Sequence, residues 1–174
     1  GIDVMSELAN IKKPLFITFE GIDGSGKSTQ ADLLYDYLIE NSIETIKLFE
    51  PTDGKWGQEI RKILQGDVTP PVDELLNLFI MDREDDAENN IIPSLNENRV
   101  IIMDRYMYSN AAYQGAMNYD PKKIIEMNIV KNFPIPDRVY LIDIDPELAL
   151  KRILKRNKNA KKELFEKKSF LTSV

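Results

Sequence analysis

The chain has 174 residues, with 23 Lys plus Arg against 29 Asp plus Glu, and it contains neither His nor Cys. That length suits one domain with a real core, and 43% apolar with 30% charged residues describes a globule rather than a disordered chain. The missing residue types exclude disulfides, thiolate or imidazole metal ligands and nucleophilic catalysis by Cys or a Ser–His pair, which leaves carboxylates, Lys, Arg, hydroxyls, backbone N–H groups and an oxygen-bound hard cation, the tools of phosphate chemistry.

In chain order, residues 1–13 carry Asp3 and Glu7 and no apolar core. They read as a loose N-terminal arm or an expression remnant, with Met5 as an alternative start, and not as a secretory signal. The domain proper is expected over 14–174. Leu15-Phe16-Ile17-Thr18-Phe19 is the first apolar β-type run, followed by residues at helical spacing (Leu34, Tyr37, Leu38). Thr45 to Phe49 is a weaker strand candidate, and Leu75, Leu76, Phe79 and Ile80 return to helical spacing. Val100-Ile101-Ile102-Met103 and Val139-Tyr140-Leu141-Ile142 are two further strands. Asp145-Pro146 then supplies an N-cap and a first-turn proline for another helix. Nearly continuous apolar strands alternating with helices predict an α/β fold of three layers, a parallel sheet with helices on both faces. No apolar run approaches the roughly 18 residues of a membrane span, so a cytoplasmic protein is expected.

Charge is unevenly placed. Residues 151–168 hold nine basic residues against Glu163 and Glu166, a net of +7 that leaves −13 on the remainder of a chain totalling −6. An acidic protein with one basic segment lacks the broad cationic face of a nucleic-acid binder and suits the grip of one small polyanion.

Directly after the first strand, Gly21-Ile22-Asp23-Gly24-Ser25-Gly26-Lys27-Ser28-Thr29 matches G-x-x-x-x-G-K-[ST]. Its glycines let successive N–H groups converge on phosphate oxygens. Lys27 is placed for the β- and γ-phosphates, Ser28 for Mg²⁺, and the next helix offers its positive end. An apolar strand before and an amphipathic helix after are the context this motif requires, so ATP binding over residues 21–29 is expected. Asp104, ending the run from Val100, is positioned as a second Mg²⁺ ligand. The motifs exclude a GTPase switch and a transporter ATPase: Asn157-Lys158-Asn159-Ala160 lacks the Asp of the guanine-reading motif, and no Leu-Ser-Gly-Gly occurs. A small P-loop kinase remains.

Several further segments resemble the thymidylate kinase family, over residues 14 to about 171. They are the glycine-rich loop; Glu50-Pro51; Gly57-Gln58-Glu59-Ile60-Arg61; Leu78-Phe79-Ile80-Met81-Asp82-Arg83; the stretch Asp104-Arg105-Tyr106-Met107-Tyr108-Ser109-Asn110-Ala111-Ala112-Tyr113-Gln114-Gly115; and Pro136-Asp137. The resemblance implies transfer of the γ-phosphoryl group of ATP to dTMP, with Mg²⁺, in a homodimer. It implies that Phe79 stacks on thymine, Arg83 donates to its O4, Asn110 meets the N3 edge and Tyr113 lies against C2′, leaving no room for a 2′-hydroxyl. Asp23 would accept from the 3′-hydroxyl and help organise the metal, while Arg61 and Arg105 clamp the acceptor phosphate, Arg105 also reaching the transferred group. Glu50, Pro51, Ser109 and Gln114 complete the implied substrate set, and Arg156 joins Lys27, Arg105 and Asp23 in the catalytic one. A short basic lid is expected at about 157–163, with Lys158, Lys161 and Lys162 beside Arg156. The chain departs from the family pattern at Gly24, Phe49 and Glu163-Leu164, where relatives carry arginine or an Asp-Arg pair, and relatives continue with another strand and helix past Val174. The alternatives are a kinase of another pyrimidine monophosphate, dUMP or UMP, and a P-loop ATPase or switch module.

Overall fold

The computed structural model describes residues 14–66, 70–116 and 118–156. Four strands, β1 (Phe16–Glu20), β2 (Thr45–Phe49), β3 (Val100–Asp104) and β4 (Arg138–Leu141), form one sheet in the order β2-β3-β1-β4, every pairing parallel. The two most continuously apolar runs are the two central strands, because covering both faces of a parallel sheet removes any polar alternation. All of β1 and four of the five residues of β3 are buried, whereas β2 and β4 at the edges are mostly half-buried or exposed. Between the strands run α1 (Lys27–Glu40), α2 (Lys55–Gln65), α3 (Val72–Asp86), α4 (Ile92–Asn96), α5 (Met107–Ala116), α6 (Pro121–Val130) and α7 (Pro146–Arg156). A π-helical turn, Ala87–Ile91, joins α3 to α4.

Register sorts the strand side chains between two layers. Phe16 pairs with Ile101 and Ile17 with Ile102, so alternate residues face opposite ways. Ile17, Phe19, Val100 and Ile102 pack on Ala31, Leu34 and Leu38 of α1. Phe16, Ile101 and Met103 pack on Leu76 and Ile80 of α3, Met107 and Ala111 of α5, and Ile124 of α6. This is the expected three-layer α/β arrangement. The predicted start of α7 also stands: the Asp145 carboxylate accepts from the Glu147 N–H at 2.7 Å and, longer, from that of Leu148. Asp120-Pro121 opens α6 in the same way, Asp120 accepting from the Lys122 N–H at 3.0 Å.

The helical layer over the second face is joined by charge as well as by apolar contact. Arg83, only 1% exposed, donates from Nε to Glu50 Oε1 at 2.9 Å and from Nη1 to Asn128 at 2.7 Å, with Asn110 at 3.4 Å. Its guanidinium also lies 4.9 Å from the centre of the Tyr106 ring. One side chain thus connects α3 with the end of β2, α5 and α6. Leaving a buried charge without its partner costs about 3–5 kcal/mol, which explains why so many polar groups surround this guanidinium. Burial pushes the Glu50 carboxyl well above the usual carboxylate range, against the pull of Arg83. Asp86 is raised for the same reason. Glu50 Oε2 and Asp86 Oδ2 are each buried without a hydrogen-bond partner, and a proton kept on one of the two raised carboxyl groups would serve both.

Such raised groups hold protons in the folded chain that the unfolded chain releases. Their stabilisation is complete below the ordinary carboxyl pKa of about 4 and is lost as pH rises through the folded values. Asp86→Asn replaces one carboxyl by an amide that donates to Glu50 without a titrating proton. Its urea midpoint is therefore expected to rise relative to that of the parent as pH climbs above the ordinary carboxyl range, at a limiting slope of about 1.4 kcal/mol per pH unit. Parallel profiles for the two proteins would contradict the shared proton.

Candidate active site

The loop after β1 turns on glycines. Gly24 and Gly26 have φ of 81° and 94°, a region that side chains disfavour. At Gly24 there is also no space, since a Cβ would sit 2.4 Å from the carbonyl oxygen of Ala149 in α7. Glycine here lets the loop rest directly on α7. Arg152, one turn further along α7, donates to the Gly24 carbonyl at 3.2 Å. α1 starts at Lys27 with Gly26 as N-cap, no side chain caps it, and its first turn contains no acid. Its orphan N–H groups and positive dipole end therefore face the loop without a side-chain cap.

Charged side chains converge beside this helix end. Lys27 Nζ lies 3.1 Å from Asp23 Oδ1 and 3.7 Å from Asp104 Oδ1. Arg105 Nη2 pairs with the same oxygen of Asp23, and Ser28 Oγ donates to Asp104 Oδ2 at 2.5 Å. The sheet brings them together, because Phe19 at the end of β1 is in register with Asp104 at the end of β3. Arg105 itself adopts φ 72°, a left-handed conformation that costs a non-glycine residue roughly 1–2 kcal/mol. Its N–H donates to the Phe19 carbonyl at 2.9 Å, which holds the turn in place.

A cleft of about 250 Å³ opens here, lined by Asp23, Lys27, Ser28, Asp104 and Arg105 on one side and by Phe49, Glu50, Pro51, Arg61 and Leu64 on the other. Arg61 reaches across from α2 to the loop after β2, donating to the Pro51 and Thr52 carbonyls, the latter at 2.7 Å. It also pairs with Asp53 at 3.3 Å and lies over the Phe49 ring at 5.8 Å. From the other side, Asp82 of α3 accepts from the Thr52 N–H at 2.9 Å and its hydroxyl at 2.6 Å. The 50–53 wall is thus held by two helices at once.

Of the residues implied by the resemblance, Asp23, Lys27, Ser28, Glu50, Pro51, Arg61, Asp104 and Arg105 meet in this cleft. Ile22 and Ser25 are buried within the loop and Thr29 is exposed on α1. Phe79 is 7% exposed and packs among Ile22, Ile60, Leu64 and Leu75. Arg83 connects to the cleft through Glu50. Asn110 donates to Gln114 Oε1 at 2.6 Å, and Gln114 is buried with its Nε2 unpartnered. Ser109 donates to Glu20. The side chains of Tyr113 and Arg156, and the lid expected at 157–163, lie outside the described residues.

Four contributors escaped the reading of the sequence. Glu20 and Asn128 are polar residues inside apolar runs, the signal that marks a buried polar partner. Asp82 precedes Arg83 in a helix that reads as core, and Arg152 was one of nine basic residues without a distinguishing neighbour. For a cation, Ser28 and Asp104 offer adjacent hard oxygens. Among the described residues no group of three or more carboxylates is placed to hold a metal ion, so a divalent ion seated at Ser28 and Asp104 would complete its shell with phosphate oxygens and water, the pattern typical of Mg²⁺ in phosphate-transfer sites.

Comparison with known proteins agrees with this geometry. The family model described as thymidylate kinase matches residues 19–174. A thymidylate kinase of Leptospira borgpetersenii is 44% identical over 156 residues, covering 90% of this chain and 75% of the relative. A probable thymidylate kinase of Archaeoglobus fulgidus is 42% identical over 160 residues, 92% of this chain and 78% of the relative. Among solved structures, that of thymidylate kinase from Ehrlichia chaffeensis matches with a TM-score of 0.70 at 33% identity, covering 84% of this chain and 89% of the other. With the glycine-rich loop, the Asp104-Arg105 turn and the parallel sheet all in register with that assignment, the chain belongs to the thymidylate kinase family.

Proposed function

We propose that this protein transfers the γ-phosphoryl group of ATP to dTMP, giving ADP and dTDP. The observation that carries the reading is the cleft itself. Lys27 and Arg105 stand side by side across Asp23, facing a wall that bears Arg61, so the space is built for phosphate groups arriving from two directions. Family membership supplies the identity of the two nucleotides.

The acceptor is a phosphate monoester with a second pKa near 6, already mostly ionised at pH 7. No general base is needed, which accords with a chain that has no His. The barrier lies in bringing two polyanions together and stabilising charge on the transferred group. Holding the reactants in line contributes about 7–11 kcal/mol in favourable cases. The loop 21–29 and the open end of α1 take the ATP phosphates, with Lys27 at the β- and γ-positions. Arg105 spans the acceptor phosphate and the transferred group, and Arg61 completes the acceptor clamp. Guanidinium suits both positions because its planar fork binds two oxygens at fixed angles. Ser28 and Asp104 would hold Mg²⁺, which would supply neutralisation of the phosphate charge. On this reading Phe79, Arg83, Asn110 and Tyr113 recognise the thymidine half, Asp23 accepts from its 3′-hydroxyl, and the basic segment from Arg156 through the lid covers the ATP.

Four measurements check the proposal. Lys27→Ala is expected to lower kcat by about 10²–10³-fold, the scale of losing one preorganised donor, with little loss of stability; near-normal turnover would remove Lys27 from the mechanism. In a coupled assay of ADP release with dTMP, dUMP and UMP, dTMP is expected to give the highest kcat/KM. A methyl group in an apolar pocket discriminates by about 1–3 kcal/mol, so dUMP should be a poor substrate, and a higher kcat/KM for dUMP or UMP would overturn the substrate assignment. In the same assay Tyr113→Ala should raise the use of ribothymidine monophosphate relative to dTMP, an unchanged ratio removing the steric role of Tyr113. The family reading extends to a homodimer acting in the cytoplasm; sedimentation at micromolar concentration should show the dimer, and a monomer contradicts it.

A further inference from the structure

Glu20 ends β1 and is 2% exposed. Among the strand residues it points to the same face as Phe16, the face covered by α3, α5 and α6. There its carboxylate meets the start of α5. Oε1 accepts from the Tyr106 N–H at 2.9 Å, and Oε2 accepts from the Ser109 N–H at 3.1 Å and from the Ser109 hydroxyl. A fully buried anion is thus seated on the first turn of a helix, where orphan N–H groups and the helix dipole both favour it. Burial raises the Glu20 carboxyl above its usual range, opposed by the Ser109 and Tyr106 hydrogen bonds and by the charges of Arg83 and Arg105.

The residue between the sheet and this cap is Arg105. Its own N–H donates to the Phe19 carbonyl, and the next N–H along the chain, that of Tyr106, donates to the Glu20 side chain. Two successive residues of β1 therefore hold two successive amides, and the left-handed Arg105 sits between them at φ 72°. That backbone conformation sends the guanidinium to Asp23 and the mouth of the glycine-rich loop.

We propose that Glu20 is a positioning residue for phosphoryl transfer, holding the left-handed turn that places the Arg105 guanidinium over the phosphate-binding loop. The inference rests on the reading of Arg105 as the phosphate clamp. Glu20 touches no substrate; it acts through the backbone of residues 105 and 106. The carboxylate is needed because it presents two accepting oxygens to donors on both sides of the turn. An amide of the same shape has one acceptor and must aim its NH₂ at one of those donors.

The test is Glu20→Gln in the parent and in an Arg105→Ala background, with steady-state kinetics and thermal melting for each protein. In the parent, Glu20→Gln is expected to lower kcat by about 10–100-fold, the penalty of a small misplacement of a reacting group, while KM for ATP changes by less than about threefold. In the Arg105→Ala background the same substitution should lower kcat by no more than about twofold, since residues acting as a unit are not additive. An unchanged kcat for Glu20→Gln, or a loss confined to the melting temperature, overturns the inference. So does a full-sized kcat effect persisting without Arg105, which would mean that Glu20 acts by another route. Normal turnover of Arg105→Ala alone overturns instead the clamp on which the inference rests.

Discussion

All four strands run in the same direction, so their C-terminal ends meet along one edge, and most of the carboxylates of the site, with Arg105, lie at or just past those ends. Glu20 ends β1 and Asp23 lies just past it, Glu50 follows β2, and Asp104 ends β3 with Arg105 next. The Glu50 N–H, donating to the Asp104 carbonyl at 3.1 Å, fastens the β2 and β3 ends to each other. Ligand sites in open α/β sheets lie outside the carboxyl ends of the strands for this reason. Register does the fine placement: a one-residue slip between β1 and β3 would turn Ile17, Ile102 and their neighbours to the wrong layer and would carry Asp104 away from Lys27.

Three arginines in this region illustrate how surroundings decide the job of one side chain. Arg83 is wholly enclosed, with Glu50, Asn110 and Asn128 around its guanidinium, and ties the helical layer to the sheet edge. Arg61, about one third exposed, holds the carbonyls of the opposite cleft wall. Arg105 points at the loop from a strained backbone, paired with Asp23. Only the last two line the cleft. The three share one planar fork of donors, and packing and hydrogen bonding decide what each does with it.

Much of this was legible in the sequence because it depends on local chemistry. The strand before the loop, the glycine spacing, the Asp145-Pro146 helix start and the apolar central strands each follow from a rule about neighbouring residues. Of the two edge strands only β2, exposed on part of its surface, read weakly; β4 was legible in the apolar run from Val139 although it is largely exposed. What could not be read was the meeting of residues distant in the chain. Glu20 contacts α5 from 86 positions away, Asp82 fixes a loop thirty residues earlier, and Arg83 gathers partners from three other elements. Spacing carries no information about such pairs. Phe79 shows the converse: its apolar helical neighbours pointed to core, the resemblance pointed to a base-stacking role, and its packing among Ile22, Ile60 and Leu75 puts it at the back of the same region.

The central claim is that two phosphate-bearing nucleotides meet between Lys27 and Arg105. A crystal structure with ADP and dTMP bound together tests it most directly. The account predicts the ADP phosphates on residues 21–29 and the dTMP phosphate against Arg105 and Arg61, with both phosphate chains directed into the one cleft. Clear density for dTMP elsewhere on an active enzyme, with the space between Arg105 and Arg61 filled by water, would contradict it.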